Sequence, residues 1–150
     1  MRLRNAYLIS GALVAMTAAQ AAGNDAVLGK WVTQNGKSTV EIFACGPKLC
    51  GKIVALKNPL YTDASEGPVG TAKVDRKNPD VKFRKRPLLD LQLLDGFVAA
   101  GTGAWDDGTI YDPDSGKTYK CKLKLASPGQ LEVHGYVGIS IIGRTEIWTR

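Results

Sequence analysis

The apolar residues of this chain alternate with polar ones in short runs, and each run ends on a turn signal. Such a pattern builds strands and hairpins, and no segment keeps a convincing 3.6-residue period over three turns. Tyr119, Cys121, Leu123 and Leu125 fall on one face of a strand, with Lys120, Lys122 and Lys124 on the other. Lysine at each outward position keeps that face in water. Val40, Ile42 and Ala44 alternate in the same way against Thr39, Glu41 and Phe43. Between the runs stand Asn35-Gly36, Gly46-Pro47, Asp107-Gly108, 112–116 and Pro128-Gly129, whose backbone preferences select turns.

Strands are expected at 28–33, 38–44, 49–56, 88–94, 97–105, 109–111, 119–125, 131–137 and 144–149, with a short helix the alternative for Leu-rich 88–94. Residues 58–87 break the rhythm. They carry six Pro or Gly at Pro59, Gly67, Pro68, Gly70, Pro79 and Pro87, and form one long loop of the kind that often serves function. Eight or nine short strands in one chain of 150 residues make an antiparallel sandwich or barrel. Closure removes exposed edges, so the expected fold is all-β, an antiparallel up-and-down barrel with one long loop.

The first residues read as targeting. Arg2 and Arg4 precede an uncharged, mostly apolar stretch, 6–19, and Ala19-Gln20-Ala21 offers small residues for cleavage. The expected organisation is a signal peptide over 1–21 and a single β-barrel domain over 22–150, exported to the periplasm or beyond. The apolar stretch falls short of the ~20 residues of a membrane span, and nothing later is long and apolar enough to make one. Loss of Arg2 and Arg4 lowers 20 basic residues to 18 against 14 acidic ones, a mature net charge of +4. That suits solubility or an anionic partner, and export argues against nucleic acid.

Export also permits disulfides. Cys45 and Cys50 flank a turn at 46–49 and are expected to pair, pinning two strand ends. Four intervening residues are not the two of the thioredoxin-type redox motif. Cys121 is left as a buried strand thiol.

Gly29-Lys30-Trp31 on the first strand and Arg144 on the last are similar to the lipocalin or calycin arrangement, in which a first-strand Trp packs against an Arg from the final strand. A longer resemblance is to the bacterial DUF2147 family of small exported proteins. It runs through 29–31, 50–54, 77–80, 86–88, 108–113, 115–119, 135–138 and the ending 143–150, while Asp90 stands where the pattern has Gly. The resemblance implies a lipocalin-like barrel and brings no catalytic residues.

His134 is the sole histidine, which excludes a multi-histidine metal site and leaves one candidate base; a surface or mouth residue is its plainer role. No Gly-x-Ser-x-Gly or phosphate loop is present. Asp106, Asp107, Asp112 and Asp114 cluster at turn signals without the Glu that closes a calcium loop, so turn chemistry accounts for them and no metal or cofactor is expected. With no catalytic constellation the chain is expected not to be an enzyme. The leading expectation is a lipocalin-like protein that binds a small amphipathic or anionic ligand through Trp31, Trp105, Tyr136, Arg144 and Trp148. The rival is an envelope interaction module that uses basic loop 73–86, with Lys82, Arg84, Lys85 and Arg86, on a protein or polyanionic surface.

Overall fold

The computed structural model describes residues 25–150; the signal peptide expected over 1–21 lies outside the described residues. Eight antiparallel strands follow one another around a closed barrel: β1 (Gly29–Val32), β2 (Ser38–Cys45), β3 (Lys48–Leu56), β4 (Gln92–Ala99), β5 (Ala104–Asp112), β6 (Lys117–Ser127), β7 (Gln130–Tyr136) and β8 (Gly143–Thr149). The alternation expected for β6 is realised, with Cys121 and Leu123 buried and Lys120 and Lys124 exposed. Closure rests on a short seam, where β8 meets β1 at Val32 and Thr149. Two side chains reinforce it: Gln34 Oε1 accepts from Ile147 N at 2.7 Å, and Arg150 reaches across to the carbonyls of Leu28 and Ala26.

Three of the expected strands, 88–94, 97–105 and 109–111, are drawn differently, the last being part of β5. Residues 97–105 are not one strand, because Ala100 N donates to Ala104 O and Gly103, at φ 65°, turns the chain between β4 and β5. Asp107-Gly108 is not a turn. It lies inside β5 as a bulge, with the β5–β6 register shifting between Trp105 and Gly108 and Asp107 at φ 59°. Gly108 is required there by packing: a Cβ would stand 2.4 Å from the Phe97 ring. The residues that signal a turn thus bend a strand over a core aromatic. The strand expected at 88–94 begins only at Gln92, since Leu91 N donates to Leu88 O in a preceding turn.

The connections fall at two ends. At one end are the β2–β3 turn, the β4–β5 turn, the β6–β7 turn and Arg150; at the other are 33–37, 57–91, 113–116 and 137–142. The first end is packed shut by Trp31, Phe97, Trp105, Leu123 and Leu131, all nearly fully buried. The Cys45–Cys50 disulfide, with 5.8 Å between Cα atoms, pins the β2–β3 turn at this closed end.

The long loop 57–91 folds onto the second end through two isolated bridges, Leu60 with Ala72 and Val74 with Pro87. Its anchor is Asp75, wholly buried. Arg86 binds that carboxylate through Nε and Nη2, each at 2.9 Å, Asn78 Nδ2 donates at 2.8 Å, and Tyr111 Oη donates from β5 at 2.6 Å. A buried carboxylate is tolerated because its acceptor sites are filled and its charge is paired.

Candidate functional site: a barrel cavity open at one end

The upper half of the barrel is hollow. A cavity of about 890 Å³ opens between the loops of the second end. Its wall comes from inward positions of successive strands: Val40 on β2, Ile53 on β3, Leu93 on β4, Ile110 on β5, Tyr119 on β6 and Val133 on β7. The apolar wall follows from the period-2 pattern, because one face of every strand turns to the axis. Gly135 also faces in, and its missing side chain widens the space beside Ile110 and Tyr119.

Strand β8 contributes a graded line. Trp148 lies on the cavity floor, nearly fully buried; Glu146 is above it, largely covered; Arg144 stands at the mouth with its side chain 79% exposed. Trp148 Nε1 donates to Glu146 Oε2 at 3.2 Å, and Arg144 Nη2 pairs with Glu146 Oε1 at 3.1 Å. The carboxylate is therefore neutralised within the strand itself. Among the described residues, no buried side-chain nitrogen or oxygen lacks a hydrogen-bond partner.

The structure sorts the five residues expected to meet a ligand. Arg144 and Trp148 line the cavity. Tyr136 touches it only at the rim, since its ring belongs to the outer face and stacks on His134 with 5.8 Å between centroids. Trp31 and Trp105 are buried in the packed lower half and do not form its wall. The guanidinium over Trp31 is also not Arg144, as the resemblance implied, but Arg150. Its Cζ lies 4.2 Å from the indole centroid, and it donates to the carbonyls of Pro128, Leu28 and Ala26. Missed by the sequence reading are Tyr61, Tyr119, Ile110 and Gly135, which line the cavity; for Tyr119 the strand alternation was the available signal.

The basic loop is partly consumed by its own fold. Arg86 is held by Asp75, Arg84 Nε donates to Asn78 O at 2.7 Å, and Lys82 pairs with Asp80 at 3.5 Å beside the short 3-10 turn Val81–Phe83. Lys85 is exposed. The aspartates at the turn signals do local work: Asp106 pairs with Lys122 at 3.3 Å, and Asp112 accepts from Asp114 N and Ser115 Oγ.

Two ionisable groups are shifted toward their neutral forms. Burial, then the hydrogen bond and charge of Asp75, push the Tyr111 hydroxyl up to about 12, against the opposing influence of Arg86. Burial, with the charge of Asp106, pushes the Cys121 thiol up to about 12. Cys121 is therefore a packing residue rather than a nucleophile at neutral pH. His134 lies outside the barrel, between Thr145 Oγ1 at 2.7 Å and Ser140 O at 2.6 Å, and away from the cavity wall.

An eight-stranded up-and-down barrel, shut at one end over a first-strand Trp and open at the other, is a lipocalin-like barrel. Among solved structures it is similar to one from Helicobacter pylori described as "Protein HP1028 from the human pathogen Helicobacter pylori belongs to the lipocalin family", with a TM-score of 0.70 and 25% identity over 83% of this chain and 82% of that one. The chain belongs to the bacterial DUF2147 family, described as "Uncharacterized protein conserved in bacteria", which it matches over residues 29–150. A comparison with curated proteins finds no match.

Proposed function

We propose that this is an exported carrier that holds a small amphipathic or anionic molecule in its barrel and does not transform it. The observation that carries the reading is the cavity itself. About 890 Å³ of space has apolar walls, a tryptophan on its floor and an arginine at its mouth, within the roughly 300–1,000 Å³ of small-molecule sites. The apolar part of a ligand would pack on Val40, Ile53, Val133 and Trp148, and an anionic end would meet Arg144, which Glu146 holds in place. Export is supported by the leader-like composition of 1–21 and by the disulfide. No described helix is long and apolar enough to cross a membrane.

The test is native mass spectrometry of the mature protein isolated from its own envelope, before and after organic extraction. An extractable mass of a few hundred daltons supports the carrier. A bare chain that also takes up none of a panel of fatty acids and lysolipids, read by quenching of Trp148 fluorescence against a Trp148→Phe control, overturns it.

A further inference from the structure

The loop joining β7 to β8 is built against the usual logic of an exposed turn. Residues 137–142 read Val-Gly-Ile-Ser-Ile-Ile, and Val137, Ile139, Ile141 and Ile142 are 67%, 58%, 82% and 64% exposed. Four large aliphatic side chains on one solvent-facing loop are costly in water unless something covers them. The loop is also held in place. His134 Nε2 lies 2.6 Å from Ser140 O, Ile142 N donates to Ile139 O, and Gly143 lies against Gly135 O too closely to admit a Cβ.

Its position gives the loop meaning. Val137 and Ile142 lie on the rim of the barrel mouth, and the same rim carries Lys37, Lys57, Lys73, Arg76, Lys77 and Arg144. Four acids face these cations: Glu66, Asp112, Asp114 and Glu146. The Glu146 carboxylate is bound by Arg144, and that of Asp112 is bound within its own turn. The mouth therefore presents an aliphatic prong within a net-positive ring. A protein partner or a second copy would cover the prong without needing the ring. An anionic bilayer matches both, since acyl chains take the aliphatics and phosphate headgroups take the cations.

We propose that the 137–142 loop is a membrane-docking prong, which seats the open mouth of the barrel against an anionic lipid surface. Docked this way, the cavity opens toward the bilayer, and an amphipathic molecule passes between lipid and barrel without crossing bulk water. Docking does not require that the cavity hold a ligand, so it stands or fails apart from the carrier reading.

The experiment uses the mature chain with vesicles of phosphatidylglycerol and phosphatidylethanolamine, and with phosphatidylcholine vesicles as the neutral control. The wild type is expected to co-sediment with the anionic vesicles and to bind less as salt rises. Ile139→Ser/Ile141→Ser, which changes exposed side chains away from the cavity wall, is expected to weaken binding at least about tenfold. Ile141→Trp is expected to shift its emission to the blue on the anionic vesicles alone. Gly135→Leu, which narrows the cavity beside Ile110 and Tyr119, is expected to dock as the wild type does while weakening amphiphile uptake, and this separates the two readings. Wild-type binding retained by the double variant, or no binding to either vesicle, overturns the proposal. So does a wild-type dimer in light scattering that the double variant converts to monomer, because a second copy would then be what covers the loop.

Discussion

The guanidinium of Arg150 lies over the Trp31 indole at 4.2 Å while its nitrogens donate to the carbonyls of Pro128, Leu28 and Ala26. It thereby ties the β6–β7 turn, the segment before β1 and the closing strand together at the thinnest part of the barrel wall. Only a planar fork can stack and donate in several directions at once, so lysine is not equivalent here. Arg150→Ala is expected to cost about 2 kcal/mol, from one cation–π contact and several charged hydrogen bonds. Arg150→Lys should recover little of it; equal urea midpoints for wild type and Arg150→Lys would contradict this. The resemblance to the lipocalin arrangement places Arg144 in this role, and alternation does not tell it from Arg150. Residues 144, 146, 148 and 150 share one face by alternation, and alternation fixes the face but not the height along the barrel axis. Height is set by which end is shut, and that depends on where Trp31, Phe97 and Trp105 pack.

Among the elements, loop 57–91 shows how a charged segment changes meaning once folded. Its basic residues read as one electropositive stretch, but Arg86 is half of a buried pair with Asp75 and Arg84 holds the Asn78 carbonyl. Position in the sequence does not tell a clamp from a solvated charge, because Arg86 meets Asp75, eleven residues away, only once the loop has folded and Tyr111 of β5 has completed the cluster. Removing the guanidinium leaves a buried carboxylate with neutral donors alone. Arg86→Ala is therefore expected to destabilise by about 3 kcal/mol, whereas Lys85→Ala, one residue away on the surface, should stay within about 0.5 kcal/mol. Chemical denaturation of the two variants side by side checks this; similar losses would mean the loop is held by something other than the Asp75 cluster. The strand assignments were more legible. Where packing rules, as in β6, period-2 alternation located the strand, while Asp107-Gly108 misled because a bulge and a turn draw on the same residues.

For the molecule as a whole, the balance is between a filled lower half and a hollow upper half. Barrel closure followed from strand spacing and the need to hide edges, but an eight-stranded barrel can be filled by side chains or left open. Small differences in inward side chains decide between these outcomes, and Gly135 is one of them. A Cβ at Gly135 would meet Ile110 at 3.6 Å and Tyr119 at 3.8 Å, which is ordinary contact, so nothing in the packing requires glycine. This contrasts with Gly108, whose Cβ has no space. Gly135→Ala should therefore stabilise the fold by about 0.5 kcal/mol by stiffening the unfolded chain. Gly135→Leu should project further into the cavity and weaken the quenching of Trp148 by added amphiphiles. A natural sequence that keeps glycine where alanine fits forgoes stability for space. If Gly135→Leu takes up amphiphiles as the wild type does, they do not pack beside Ile110 and Tyr119, and the space glycine leaves there is not what the protein uses to hold them.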